Sequence, residues 1–183
     1  PRAPTLALLP GSRPNELRAI LPGLVRAAAL IARRVPRAQF LVARAPNLNA
    51  DLFQCLEGFE SAGLPSPVVV EARTNDALAA SDVVLTASGT ATIQAAIHER
   101  PMVIVYRLSP LTYRLAKRFV HVEWVGMVNL VAGETIVPEL IQTAFTPEAV
   151  ADEAVSFLTD HDRARRTREA LRRVRSKLGA PGA

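Results

Sequence analysis

Five short apolar runs are separated by longer stretches in which apolar residues return every three or four positions. That alternation restricts the chain to a layered α/β architecture. The runs Thr5–Leu9, Gln39–Ala43, Val68–Glu71, Val83–Thr86 and Met102–Tyr106 read as strands. Between the first two, Leu17, Ile20, Leu21, Leu24, Val25, Ala28 and Ile31 form a broad apolar stripe, predicting a helix over 15–35 with a kink at Pro22. Further helices are expected over 50–62, 75–81 and 89–98. Another is expected over 109–120, where Ser109-Pro110 supplies a cap and a proline at the first helical position. After an irregular 121–137, helices are expected at 138–142, 147–159 and 161–178. No internal repeat or low-complexity tract interrupts this order.

Strands that alternate with helices pair in parallel, and their crossovers are right-handed. The expected fold is therefore a Rossmann-like, doubly wound parallel sheet flanked by helices. With strand order 3-2-1-4-5, the winding reverses between the first and fourth strands, and ligands bind beyond their carboxyl ends. The loops that follow these two strands should then be small, polar and anion-friendly. Strand one runs into Pro10-Gly11-Ser12-Arg13 and strand four into Ala87-Ser88-Gly89-Thr90-Ala91-Thr92, each directly before a helix.

A helix start leaves backbone N–H groups without internal partners and favours negative charge. Gly89 admits close approach to the backbone, Ser88, Thr90 and Thr92 add hydroxyls, and Arg13 offers a guanidinium fork. Charge-assisted hydrogen bonds contribute roughly 1.5–3 kcal/mol each, so several together hold a diphosphate without a metal. Capping alone accounts for either loop taken singly. Both together at a switch point, with Arg13, favour a phosphate site.

Other chemistries find little support. There is no Gly-x-Gly fingerprint, no Gly-Lys-Ser/Thr phosphate loop and no Gly-x-Ser-x-Gly elbow. His98, His121 and His161 lack metal-ligand spacing, and Asp160-His161-Asp162 reads as helix capping. No metal and no cofactor is expected. Apolar residues make up 49% of the 183 and charged residues 21%, ordinary globular values that exclude disorder and a disulfide scaffold. The single cysteine, Cys55, reads as core packing and fits a reducing compartment. No apolar stretch is long enough to span a bilayer.

Charge is unevenly placed. Eight of the 22 basic residues, and only one of the 17 acidic ones, lie within 163–177, so the net charge of +5 belongs to that tail. Leu171, Val174 and Leu178 recur at helical spacing opposite the arginines, the pattern of a solvated helix face. Contact with an anionic membrane is the alternative. No nucleic-acid-binding signature accompanies the charge. The expected division is 1–160 as the Rossmann-like domain and 161–183 as an arginine-rich helix and tail. A start at Pro1 without a methionine reads as a piece of a longer protein.

The motifs in their order resemble one known family. Leu8-Leu9-Pro10-Gly11-Ser12-Arg13 with Glu16 is similar to the opening of the C-terminal domain of bacterial lipid A disaccharide synthases, and Ser81-Asp82 through Thr92 to that family's donor-binding loop. Pro101-Met102-Val103 and Tyr106 through Thr112-Tyr113 to Leu115-Ala116-Lys117-Arg118 carry the most distinctive signature. Asn129-Leu130-Val131-Ala132-Gly133 and Val137-Pro138-Glu139-Leu140 follow in register. The likeness extends over about residues 6–178.

The resemblance implies the C-terminal, donor-binding half of a GT-B glycosyltransferase. The implied reaction transfers 2,3-diacylglucosamine from UDP-2,3-diacylglucosamine to 2,3-diacylglucosamine 1-phosphate with release of UDP. The acceptor side and the general base would come from an N-terminal domain not matched here, leaving this chain inactive alone. Carried over by position, Ser12, Arg13, Ser88, Gly89, Thr90 and Thr92 would face the diphosphate, with Arg13 stabilising the leaving group. Gln94 would meet the ribose, and Asn129, Gly133 and Glu139 would line the nucleotide or sugar crevice. Two positions depart from the family's habit: Gln94 stands where glutamate is frequent, and Glu134 where a basic residue is. Family members act at the cytoplasmic face of the inner membrane, which gives the basic tail its second reading. The rival functions are another UDP-sugar enzyme of the same architecture and a non-catalytic anion-binding module. The Tyr106–Arg118 signature argues against the first.

Overall fold

The computed structural model describes residues 2–107 and 124–179, so the expected helix over 109–120, the signature residues from Leu108 to Arg118 and His121 lie outside the described residues. Strands β1 (Thr5–Leu9), β2 (Gln39–Arg44), β3 (Val68–Glu71), β4 (Val83–Ala87), β5 (Met102–Tyr106) and β6 (Glu139–Ile141) form one sheet in the order β3-β2-β1-β4-β5-β6. Every neighbouring pair is parallel. The winding reverses between β1 and β4, as expected from the sequence.

Parallel strands covered on both faces need apolar residues on both, and β1 and β4 are buried throughout. Leu6 and Leu8 of β1 point into one apolar cluster, Ala7 and Leu9 into the other. The first cluster is closed by α1 (Pro14–Arg34), α2 (Glu57–Ser61) and α6 (Pro147–Thr159). The second is closed by α3 (Thr74–Ala80), α4 (Thr90–Ile97), α5 (Met127–Ala132) and α7 (His161–Lys177).

Four expectations change, the first being that part of the 121–137 stretch expected to be irregular forms the helix α5. Helix α1 runs through Pro22 without a break, and the carbonyl left without a donor belongs to Arg18, an exposed residue. Gly23, next in sequence, is filled from outside: a Cβ there would lie 2.8 Å from Cζ of the buried Phe145 ring. The expected helix over 50–62 is a 3₁₀ segment, Ala50–Leu56, followed by the short α2, and Cys55 sits half-buried on the 3₁₀ part. Burial pushes its thiol pKa up.

The fourth change matters most for the site. The expected helix over 138–142 is instead β6, in register with β5 through Ile104↔Glu139, Val105↔Leu140 and Tyr106↔Ile141. So short a run carries no decisive period, and the open edge of β5 recruits it. Pro138 stands just before the strand, where its missing N–H costs nothing, and its carbonyl accepts from the Ile104 N–H at 2.9 Å.

The boundary expected at residue 160 is the corner between α6 and α7. There the Asp160 carboxylate accepts from the Arg163 N–H at 2.8 Å and caps α7, which holds its pKa below the usual carboxylate value. Leu171 and Val174 of α7 are buried in the second apolar cluster.

Candidate anion-binding site at the switch point

The two loops meet at one cavity of about 290 Å³, whose walls include Gly11, Ser12, Arg13, Glu16, Ser88, Gly89, Thr90 and Gln94. On the β1 side, Gly11 has φ +111°, and a Cβ there would lie 2.7 Å from Oε2 of Glu16, so only glycine lets the loop turn against that carboxylate. Arg13 is the residue before α1 and Pro14 opens the helix. The Arg13 side chain is 80% exposed and donates from Nη1 to Glu16 Oε1 at 3.3 Å. An exposed pair three residues apart is weak, so the guanidinium is free to turn to a stronger anion.

On the β4 side, Gly89 precedes α4 at φ +150° with no atom within 4 Å of where a Cβ would stand. No side chain caps α4. In its first turn the Thr92 N–H donates to the Gly89 carbonyl at 3.0 Å, which leaves those of Thr90 and Ala91 without an acceptor among the described residues, at a helix end that favours an anion. Thr90 is exposed there, with Ala91 and Gln94 half-buried beside it. Gln94 is also a wall of a second cavity of about 460 Å³ formed with Pro46, Ala72, Arg73, Thr74, Asn75 and Asp76. Ala72 in that wall has φ +54°, a strained backbone for a residue with a Cβ.

Ser12, Arg13, Ser88, Gly89, Thr90 and Gln94 are thus brought together as the sequence suggested. Four other candidates are placed differently. Thr92 is fully buried, and its hydroxyl donates to the Gly89 carbonyl at 2.8 Å, so it braces the loop from behind. Asn129 is fully buried as well. Its Nδ2 donates to the Val137 carbonyl (2.9 Å) and to Glu139 Oε1 (2.8 Å), while its Oδ1 accepts from the N–H groups of Ile136 (3.0 Å) and Val137 (3.2 Å). Glu139 faces Asn129 and the backbone of Val125 and Gly126. Gly133 ends α5 in the left-handed conformation, φ +76°. None of these four is a wall of the switch-point cavity.

Ser88 has a role the sequence did not disclose. Its hydroxyl donates to the Val125 carbonyl at 2.8 Å, tying the β4 loop to a segment 37 residues away. Glu16 was visible only as part of a motif, although its three-residue spacing from Arg13 was a signal for their pairing. Glu134, where the resemblance implied a basic residue, pairs with Arg173 of α7 at 3.8 Å and so answers the basic helix. Among the described residues, no group of three or more His, Cys, Asp or Glu is arranged to hold a metal ion.

Comparison with known proteins identifies the family and the fold. The chain matches the family model for lipid-A-disaccharide synthetase over residues 1–181. It is 37% identical over 179 residues to the lipid-A-disaccharide synthase of Syntrophus aciditrophicus, covering 98% of this chain and 46% of that protein. It is 42% identical over 180 residues to that of Anaeromyxobacter sp. strain K, again covering 98% and 46%. The chain therefore spans about half the length of the curated relatives it matches. Among solved structures, it resembles the C-terminal domain of a glycosyl transferase group 1 family protein from Francisella tularensis (TM-score 0.64, 12% identity, 96% of this chain and 86% of that one). It also resembles the UDP-GlcNAc 2-epimerase of Neisseria meningitidis bound to UDP-GlcNAc (TM-score 0.59, 10% identity, 96% and 44%). At such identities these likenesses establish the fold alone, a six-stranded parallel sheet flanked by helices. With the family model matched over nearly its whole length, the chain belongs to the lipid-A-disaccharide synthase family.

Proposed function

We propose that this chain holds the UDP part of UDP-2,3-diacylglucosamine while the sugar is transferred to 2,3-diacylglucosamine 1-phosphate, yielding the lipid A disaccharide phosphate and UDP. The observation that carries this reading is the convergence of Arg13, Ser12, Thr90 and the uncapped start of α4 on one cavity at the switch point. The diphosphate lies against the N–H groups of Thr90 and Ala91 at the start of α4, with the Thr90 hydroxyl and the Arg13 guanidinium closing over its oxygens. The second cavity, joined through Gln94, takes the nucleoside, and the Gln94 amide serves a ribose hydroxyl.

As the bond between the sugar C1 and the phosphate oxygen breaks, negative charge accumulates on the diphosphate. Donors already aimed at that charge stabilise the transition state more than the ground state. This half thereby activates the leaving group. The acceptor hydroxyl still needs a base, which the N-terminal half of the protein supplies together with the acceptor site. Alone, the chain binds UDP and does not turn over.

A calorimetric titration with UDP, UMP and inorganic phosphate tests the site. Saturable binding that is tightest for UDP is expected. Equal affinity for UDP and phosphate would instead make this a general anion-binding module and overturn the donor assignment.

We also place the working enzyme at the inner face of the inner membrane, where its acylated substrates reside. No helix among the described residues is long and apolar enough to cross a membrane. Six of the eight basic side chains of 163–177 have partners within the protein. Only Arg166 and Arg168 make no hydrogen bond or ion pair among the described residues. At about 1 kcal/mol per basic residue near an anionic surface, their attraction is weak. Binding to phosphatidylglycerol vesicles is expected at low salt and lost at 0.15 M or so, where the Debye length falls to about 8 Å. Absence of binding at low salt would leave α7 without a membrane role.

A further inference from the structure

Glu139 stands behind the donor loop rather than in it, yet two of the three contacts its carboxylate makes among the described residues lead there. Oε2 accepts from the Val125 N–H at 2.8 Å, and Oε1 accepts from the Gly126 N–H at 3.0 Å and from Asn129 Nδ2 at 2.8 Å. Gly126 makes this approach feasible, since a Cβ there would collide with Ile104 Cδ1 and stand 2.9 Å from Glu139 Oε1. The peptide whose Gly126 N–H is thus held presents the Val125 carbonyl, which accepts from the Ser88 hydroxyl at 2.8 Å. Ser88 in turn directly precedes Gly89, the entrance to the anion cavity.

We propose that Glu139 is a positioning residue for the donor loop, acting through the Val125–Gly126 backbone on the Ser88 hydroxyl. A carboxylate suits this task because its oxygens accept, and the three groups that face it among the described residues are donors. Glutamine has nearly the same shape but would turn an NH₂ group towards one or more N–H groups, leaving donors opposed. The strand β6 supplies the rigidity: Glu139 is in register with Ile104 of β5, so its Cα is fixed by the sheet that also carries β4. The proposal concerns ligand binding only in so far as the donor-site reading holds, and the coupling itself can be measured without a ligand.

Amide hydrogen exchange, read by NMR, and UDP titration calorimetry on the same variants provide the test. Glu139→Gln is expected to speed exchange at the Ser88 amide, which donates to the Val105 carbonyl at 3.1 Å. It is also expected to weaken UDP binding about 3- to 10-fold, an intermediate loss for a residue that does not touch the ligand. In a Ser88→Ala background, Glu139→Gln should add little to either effect, because the connection it acts through has been removed. Glu139→Asp keeps the charge one methylene short; it should show a smaller change with the same dependence on Ser88, and it serves if the glutamine variant does not fold. A merely structural role would speed exchange evenly, core strands included, and equally in both backgrounds. That result, or unchanged exchange at Ser88, would overturn the proposal. Failure of the unmodified chain to prefer UDP would remove the donor-site reading, while the exchange comparison would still decide the role of Glu139.

Discussion

Arg13→Ala is expected to weaken UDP binding by roughly 10- to 100-fold, the loss that corresponds to removing one or two charge-assisted hydrogen bonds to phosphate. The side chain is 80% exposed and holds only a weak pair with Glu16, so little of the effect should come from damage to the fold. Thermal stability of the variant should therefore stay close to that of the unmodified chain while affinity falls. Arg13→Lys should recover only part of the loss. An ammonium restores the charge but not the planar fork that engages two phosphate oxygens together. The effect should also depend on the ligand: large for UDP, smaller for UMP, negligible for uridine. A loss that is equal for all three would mean that Arg13 touches the nucleoside side, and an unchanged affinity for UDP would take it out of the site. In a full-length family member the same substitution should slow transfer at least as much as it weakens UDP, because the leaving diphosphate gains its charge in the transition state.

The location of that arginine was legible before any coordinates, and the reason is physical. A parallel sheet leaves continuous apolar runs, so β1 and β4 stand out in the sequence. Small polar residues follow those strands because their carboxyl ends open to solvent and to ligand. What could not be read was direction. Thr92, Asn129 and Glu139 have the right chemistry and lie in the right stretches, but each turns its polar atoms to the backbone behind the loop. The identity of a residue reports that it can hydrogen-bond, whereas its partner is set by tertiary packing. β6 escaped for a related reason: only three residues long, its state is decided by the open edge of β5. The basic tail was half legible. Its apolar stripe predicted packing, yet Glu99 and Glu134, which take up Arg172, Arg175 and Arg173, are distant in sequence and carry no spacing signal.

That tail also carries a large expected effect on stability. Leu171→Ala should cost about 2–5 kcal/mol, the range for emptying a fully buried leucine site, since Leu171 is 0% exposed in the second apolar cluster. Arg172→Ala, Arg173→Ala and Arg175→Ala should each cost about 0–1 kcal/mol, because each arginine side chain is more than half exposed and its pair to Glu99 or Glu134 is open to solvent on that side. Urea denaturation separates two views of α7. If the helix is part of the same cooperative unit as the sheet, Leu171→Ala lowers the midpoint of one transition and leaves its slope unchanged. If 161–183 is an appendage, the variant instead produces an early, separate transition and leaves the main midpoint in place. The contacts favour the first outcome. Leu171 and Val174 share their cluster with Ala95 and Ala96 of α4, the helix whose first turn lines the switch-point cavity. Loosening α7 should therefore weaken UDP binding as well as the fold, whereas discharging its surface arginines should leave UDP binding unchanged.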